Sequence, residues 1–155
     1  MNAPEDDLQT YARAHIPLVD AMDIRVLELS SGGVRLAVPL APNLNHRATA
    51  FGGSLSAAGV FAGWAYVHAR LQEEVSRHRV VIQRSSIEYL LPVETDFEVH
   101  CTHPPEAAWK RLRNMLSRAG KGRVTLDLTI TGRTSEVAVR MTATYVAISL
   151  DSPHL

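Results

Sequence analysis

The sequence predicts an α+β fold in which a curved antiparallel sheet wraps around one buried helix. The helix is predicted from the stretch between Gly53 and Arg70, which carries no formal charge and is rich in glycine, alanine and large apolar residues. A helix that is apolar on all sides is a buried helix, and its small residues let other backbone approach closely. The sheet is predicted from the long strand-like segments that follow Gln72.

Two elements are predicted before the buried helix. Residues 4–15 have apolar side chains at helical spacing, which predicts a short amphipathic helix that Pro17 ends. Residues 24–38 alternate around a Ser-Ser-Gly-Gly turn, which predicts a β-hairpin. A polar, turn-rich segment over 42–46 then leads into the buried helix. Because helix N-termini offer unpaired amides and a positive dipole potential, we expect the chemistry there.

Four strands and one further helix are predicted after the buried helix. The strands are predicted over 80–93, where Pro92 interrupts the strand, and over 97–102, 124–130 and 137–148. The helix lies between the second and third of these strands; it starts at Pro104-Pro105 and is capped by Gly120. An open sheet of five or six strands leaves its edges exposed, and pairing of two copies edge to edge covers one of them. We therefore expect a homodimer with both sites at its interface, and the sequence leaves open whether two dimers pair further.

Composition limits the classes of function. A chain of 155 residues with 46% hydrophobic content fits one globular domain over residues 1–155. The 16 basic and 16 acidic residues balance, so charge gives no reason to expect nucleic acid as a partner. The N-terminus lacks the pattern of a signal peptide, and the buried helix is short and glycine-rich for a membrane span. We therefore expect a cytoplasmic protein without a membrane partner.

The single cysteine, Cys101, excludes an internal disulfide. With His100 and His103 it forms a cluster of metal-ligating residue types. These side chains alternate along a strand and lack a fourth partner, which argues against a zinc-type site. We expect neither a metal nor a bound cofactor.

The polar segment and the start of the buried helix resemble the signature of a known family. Hot-dog acyl-thioesterases carry Asn-x-x-Gly-Thr-x-His-Gly-Gly, which is similar to NHRATAFGG at residues 45–53, and then Ile-x-Tyr-x-x-Pro, which is similar to IEYLLP at residues 87–92. More narrowly, residues 39–64 resemble the YiiD C-terminal family of thioesterase domains, which includes stand-alone malonyl-ACP decarboxylases. The resemblance covers about residues 10–150 and implies the hot-dog fold, a curved sheet around a central helix.

The resemblance also implies the residues of the site. Asn45 would donate its side-chain amide to the carbonyl of a thioester, and the backbone amide of Gly52 or Gly53 would be the second donor. The family histidine before the two glycines is Phe51 here, and the carboxylate that hydrolytic members carry nine residues later falls at Val60. The helix offers no other carboxylate in its place. The alternative for Asn45 is a plain turn or helix cap.

A thioester site without a carboxylate favours decarboxylation. Hydrolysis needs a group to attack or to activate water, usually a carboxylate in this fold. Decarboxylation of a malonyl thioester needs oxyanion donors, each worth roughly 3–4 kcal/mol, and a C–CO₂ bond held perpendicular to the carbonyl plane. It also needs an apolar pocket for the departing carboxylate, which Phe51, Val60 and Trp64 would supply.

We therefore predict decarboxylation of malonyl-ACP or malonyl-CoA, which would supply the acetyl primer for fatty-acid synthesis. The substrate would be carried on the phosphopantetheine of an acyl carrier protein (ACP) or of CoA. Two alternatives stay open. One is a hydrolase of acyl-CoA or acyl-ACP in which His46 or Glu88 recruits water, and the other is a non-catalytic module that binds acyl thioesters.

Further residues are candidates for contact with the substrate. His46 would return a proton to the enolate, because histidine titrates near neutral pH. Ser54 and Thr49 would contact the substrate, although capping for Ser54 and bracing of the loop for Thr49 are the alternatives. Arg111 and Arg113 belong to a run of six cations without an anion over residues 110–123. Such a run suits an acidic carrier or CoA, and a solvated helix face is the alternative.

Overall fold

The computed structural model describes residues 3–75 and 77–151. A six-stranded antiparallel sheet curves around one long helix, with the strands in the order β1-β2-β4-β5-β6-β3. The elements are α1 Pro4–His15, α2 Pro17–Ala21, β1 Arg25–Ser30, β2 Gly33–Val38, α3 Gly52–Gln72, β3 His78–Tyr89, β4 Phe97–Thr102, α4 Glu106–Ala119, β5 Lys121–Thr131 and β6 Val137–Ser149. The predicted α+β class and the central helix are confirmed. No helix of the described ranges is long and apolar enough to cross a membrane.

The elements differ from the sequence prediction mainly in three places. Pro17 ends α1 but also begins α2, because proline is favoured in the first turn of a helix, where its missing N–H costs nothing. β3 stops at Tyr89, ahead of Pro92, and so is shorter at this end than predicted. β5 begins at Lys121, so the last cations of the run over 110–123 lie on a strand.

The glycines of α3 are required by the sheet that curves over it. A Cβ at Gly59 would lie 2.5 Å from Sδ of Met141, and one at Gly63 would overlap the ring of Tyr145. The Tyr145 hydroxyl donates to the carbonyl oxygen of Val60 over 2.7 Å, and burial raises the pKa of that hydroxyl. Side chains of β6 therefore pack directly against the backbone of α3, which its small residues indicate.

A methyl group at Gly63 is expected to destabilise the fold. The Gly63→Ala variant should lose about 1–3 kcal/mol or more of unfolding free energy, because the Tyr145 ring is held by its hydrogen bond and cannot yield freely. The matched control is Gly32→Ala, where the nearest atom to a new Cβ is Ser30 Oγ at 3.6 Å. Urea denaturation of both variants tests this, and equal stabilities would contradict it.

A stack of aromatic rings joins α1 to α3. His68 lies between Trp64, with ring centroids 4.6 Å apart, and Tyr11, at 5.2 Å. Its Nδ1 is 3.2 Å from Nε2 of His78, whose own Nδ1 donates to the carbonyl oxygen of Val75 over 2.9 Å. Burial and the neighbouring His78 lower the pKa of His68 to about 4. The stack is therefore built around a neutral imidazole.

The neutral His68 is expected to make stability depend on pH. Between pH 6.5 and about 4 the unfolded chain holds a proton on this residue that the folded chain does not, so stability falls as the pH falls through this window. In His68→Phe, which keeps a stacking ring, the loss of unfolding free energy between pH 7 and pH 5 should be smaller than in the wild type. Denaturant titrations at the two pH values measure it. Equal losses would exclude His68 as a cause.

α4 lies beside the C-terminal half of α3. Its buried Trp109 packs against Tyr66 of α3, with ring centroids 6.2 Å apart, and Arg113 forms an ion pair of 2.8 Å with Glu74, just after α3. Tyr66 also donates to the Ser31 carbonyl oxygen over 2.9 Å. Gly120 ends α4 in the left-handed conformation at φ 71°, as the sequence predicts. The two ends of α3 thus have different neighbours.

Candidate functional site

The loop before α3 is built around the side chain of Asn45. Its Oδ1 accepts the backbone amides of Arg47, over 2.8 Å, and Thr49, over 3.1 Å. Its Nδ2 donates to Thr49 Oγ1 over 2.7 Å. Since Oδ1 accepts from two amides, the orientation of the side chain is fixed. One N–H of Nδ2 has no partner among the described residues and is free to donate to a ligand.

Asn43 anchors this loop to the rest of the fold. Its buried Nδ2 donates to the carbonyl oxygens of Met22, over 3.0 Å, and Pro39, over 2.8 Å. Its backbone carbonyl accepts the amide of Phe51, the residue before α3, over 2.8 Å. The position of the helix start relative to the loop therefore depends on Asn43, which sequence reasoning treated only as a turn residue.

Ala48 occupies the turn of the loop with φ 61°, in the left-handed region. A residue with a Cβ is disfavoured there, by roughly 1–2 kcal/mol. The thioesterase signature that the segment resembles has glycine at this position, and the backbone conformation gives the physical reason. In this chain the loop keeps its shape through the Asn45 and Thr49 hydrogen bonds.

The first turn of α3 presents backbone amides that no described side chain caps. Phe51 is the N-cap residue and makes no side-chain hydrogen bond to the helix, so the amides of Gly52, Gly53 and Ser54 have no partner within α3. The ring of Phe51 lies where a Cβ of Gly53 would sit, at 2.5 Å, and Tyr89 lies 3.6 Å from that of Gly52. The Tyr89 hydroxyl donates to the Gly52 carbonyl oxygen over 3.2 Å. Two aromatic rings thus flank the two glycines.

An apolar chamber of about 470 Å³ begins one turn further along α3. Its α3 wall is formed by Ala57, Val60, Phe61 and Trp64, and the other walls come from α2, the residues around it, the start of β3 and Tyr145 of β6. These α3 positions share the helix face of Gly53, because residues three and four apart lie on one side. Val60 and Trp64 therefore line an apolar pocket, whereas Phe51, which was expected to line it with them, stays outside the chamber at the helix start.

The carboxylates near this end of the sheet are directed elsewhere. Tyr89 faces α3, and successive side chains of a strand point to opposite faces, so Glu88 points away from the helix start. Asp96 accepts the backbone amide of Leu40 over 2.8 Å, and Glu94 lines a separate groove with Arg133. The hydrolytic role considered for Glu88 therefore finds no support in its placement within one chain.

The remaining candidates are spread over both ends of α3. His46 is exposed on the turn of the loop, and Ser54 is half-buried in the first helical turn. Thr49 takes up the Asn45 amide and so has the bracing role that was its alternative. Arg111 and Arg113 lie on α4, which packs at the opposite end of α3. The structure thus places Asn45 and Thr49 in one hydrogen-bonded loop that directly precedes the two glycines, and it leaves the arginines remote in the same chain.

The cluster around Cys101 splits between different environments. Burial raises the pKa of the Cys101 thiol to about 12. His100 lies 3.2 Å from Thr131 Oγ1, and His103 hydrogen-bonds Tyr66 and lies 3.1 Å from a Glu106 oxygen. Within residues 3–75 and 77–151, no three His, Cys, Asp or Glu side chains are placed to hold a metal ion.

Sequence reasoning missed two parts of the site. Tyr89 was noted only as part of a strand signature, and its contact with Gly52 depends on a pairing of distant segments that no local pattern reveals. α2, whose Leu18 and Val19 close the chamber, was hidden because Pro17 was taken only as the end of a helix. The signal that could have found α2 is the apolar pair directly after a proline at a helix start.

Comparison with known proteins supports the reading of the fold. A family model described as putative thioesterase (yiiD_Cterm) matches residues 5–149. A protein of unknown function from Chlorobaculum tepidum is 26% identical, with 94% of each chain covered and a TM-score of 0.88. A putative thioesterase from Shewanella oneidensis is also 26% identical, with 96% of this chain and 99% of that chain covered and a TM-score of 0.84.

A third structure agrees with these two. A probable thioesterase of unknown function from Pseudomonas aeruginosa is 23% identical over 96% of this chain and 98% of that chain, with a TM-score of 0.80. No curated protein matches the sequence. Since the family model covers nearly the whole length, the chain belongs to the YiiD C-terminal thioesterase family, and it has the hot-dog fold.

Proposed function

We propose that this protein decarboxylates a malonyl thioester, carried on ACP or CoA, to the acetyl thioester. The thioester carbonyl is held by the free N–H of Asn45 and by the uncapped amide of Gly52 or Gly53. The C–CO₂ bond breaks, its electron pair moves into the carbonyl as an enolate, and CO₂ leaves. A proton from water or from His46 then completes the acetyl group.

The observation that supports this proposal is an oxyanion-type donor set toward which no carboxylate of residues 3–75 and 77–151 is directed. Asn45 keeps one N–H free while its oxygen is occupied, and the helix start adds amides and the positive end of the dipole. Donors of this kind stabilise the enolate oxygen as charge develops on it. The position at which hydrolytic relatives are expected to carry a carboxylate is Val60, which lines an apolar chamber.

Replacing Asn45 tests the role of its amide. Asn45→Ala should lower kcat for decarboxylation by roughly 10²–10³ with little change in KM, because it removes a donor that acts on the developing charge. Asn45→Asp should keep the loop, since its oxygens can accept the Arg47 and Thr49 amides while the Thr49 hydroxyl donates to it. It places an anion beside the enolate, so decarboxylation should nearly vanish although the thermal stability is retained.

Mass spectrometry of malonyl-ACP after incubation gives the readout for these variants. Acetyl-ACP indicates the lyase, and free holo-ACP indicates a hydrolase. Unchanged substrate with the wild type would indicate a binding module. Full decarboxylase activity in both Asn45 variants would remove this residue from the mechanism.

A thioester hydrolase is the second candidate, because the family model and two of the similar structures are described as thioesterases. The same donors would polarise the carbonyl, and water would have to be activated by a group other than an α3 carboxylate. Under this reading Asn45→Asp would preserve or raise the release of holo-ACP. Asn45→Asp therefore separates the two reactions, since a decarboxylase should lose its activity and a hydrolase should keep or increase it.

A homodimer through β3 is the assembly that the surface favours. β3 is at the edge of the sheet, and large apolar residues are exposed along it and beside it: Val81 (44% exposed), Tyr89 (52%), Leu90 (44%) and Phe51 (56%). An exposed apolar stretch on an edge strand is a surface for pairing with another chain. Phe51 and Tyr89 flank the glycines, so this pairing would place both sites at the interface.

The dimer is expected in solution at micromolar concentration. Val81→Asp should shift the protein towards monomers in analytical ultracentrifugation, because it buries a charge in the pairing surface. Thr102→Asp serves as the control, since it adds the same charge at an exposed position on β4, three strands away from β3. A wild-type protein that sediments as a monomer would contradict the proposed assembly.

A further inference from the structure

We infer that the cationic face of α4 docks an acidic carrier protein for the site of the partner subunit, not for the site of its own chain. This inference rests on the proposed function and the proposed dimer. It assigns the docking surface to one chain and the chemistry to the other. Each site is then incomplete without a second copy.

The cations of the run over 110–123 do not form one surface. A Cβ at Gly122 would meet the Leu112 carbonyl oxygen at 2.9 Å, so this position faces α4. Strand alternation then directs Lys121 and Arg123 to the other face of the sheet. Arg113 is engaged with Glu74. The α4 surface is therefore narrower than the sequence indicates.

The remaining cations lie on one exposed side of α4. Arg111 and Arg118 are seven residues apart and so lie on the same face, with the exposed Met115 between them. Lys110 is exposed beside them. Arg111, Arg118 and Lys110 make no ion pair with any described residue. An apolar centre bordered by unpaired cations is complementary to an acidic protein surface with an apolar contact.

This surface is far from the Asn45 loop of its own chain. α4 packs at the C-terminal end of α3, where Arg113 meets Glu74, and the loop lies at the N-terminal end. α3 has 21 residues, which span roughly 30 Å at 1.5 Å per residue. A carrier seated on α4 would have to deliver its thioester along the whole length of the central helix.

Twofold pairing of β3 brings the two features together. β3 runs opposite to α3, since His78 follows the end of α3 and the Tyr89 hydroxyl contacts Gly52 at its start. A twofold axis perpendicular to the sheet pairs the two β3 edges antiparallel and keeps both α3 helices on one face. The Tyr89 end of one subunit then lies beside the His78 end of its partner.

α4 is located at that same His78 end of the sheet. His78 pairs with Ser149, and Lys121 pairs with Ile148, so the starts of β3 and β5 are side by side with β6 between them. α4 covers the start of β5 at Gly122. Two strand spacings, roughly 10 Å, separate β5 from β3. The α4 surface of one subunit is thus closer to the Asn45 loop of the partner than to its own.

Mixed dimers test this arrangement. One chain carries Asn45→Ala, the other carries Arg111→Glu and Arg118→Glu, and two different tags allow the heterodimer to be purified. With malonyl-ACP the two parent homodimers should be impaired, the charge variant by about tenfold in kcat/KM at low salt. The heterodimer should recover about half of the wild-type activity, because one site pairs an intact Asn45 with an intact α4. A heterodimer that is no more active than the parent homodimers would overturn the inference.

The matched control reverses the same charges on the other face. Lys121→Glu with Arg123→Glu changes the net charge equally and lies within the same stretch of sequence. It should leave kcat/KM for malonyl-ACP within twofold of the wild type. If the control is impaired as strongly as the α4 variant, the loss of activity comes from weaker overall electrostatic attraction of ACP and not from the loss of a docking face. The inference then fails.

A crosslinking experiment separates this inference from the proposed reaction. ACP with a photoreactive group on its phosphopantetheine arm is bound to a heterodimer of a wild-type chain and an enlarged Arg111→Glu, Arg118→Glu chain. Docking on the intact α4 should attach ACP to the enlarged chain. Attachment to the wild-type chain, or equal attachment to both, would overturn it. This readout needs no turnover, so an absence of acetyl-ACP would refute only the proposed function.

Discussion

The contact between α3 and β6 is the constraint on which the rest of the molecule depends. Gly59 and Gly63 leave no room for side chains where Met141 and Tyr145 press against the helix. A helix held this closely inside a curved sheet cannot carry charge along its length, since an unpaired charge there would be costly to bury. Its one formal charge, Arg70, lies in the last turn and pairs with Glu73, whereas the N-terminal end offers uncharged donors.

At the N-terminal end the polar groups are arranged before any ligand arrives. Asn45 uses its oxygen to hold the loop and keeps an N–H outward, and Asn43 fixes the loop to the start of α3. Donors that are already oriented need no reorganisation when charge develops on a bound carbonyl. The aromatic rings of Phe51 and Tyr89 flank the same point, and each is about half exposed in one chain. Under the proposed function, these donors would receive the negative charge that develops on the thioester oxygen.

Much of the fold could be predicted because it follows from local patterns. The uncharged, glycine-rich run predicted the buried helix, and alternation predicted β4 within its observed bounds, Phe97–Thr102. α2 was missed because Pro17 was taken only as the end of a helix, and the walls that α2 and β3 give the chamber depend on contacts between distant segments. The cationic run over 110–123 was treated as one surface, but the change from helix to strand at Lys121 divides it between two faces. Asn45 was found through a family signature, and its hydrogen bonds explain why that residue type suits the position.

The burial of Cys101 has a practical consequence for spectroscopy. It is the single cysteine of the sequence, and its thiol is buried with a pKa raised to about 12. A thiol in that state forms almost no thiolate near neutral pH and reacts slowly with maleimides or methanethiosulfonates. One cysteine introduced on the surface would therefore take a spin label or fluorophore selectively, so distances across the proposed dimer could be measured without first replacing a native residue in the core.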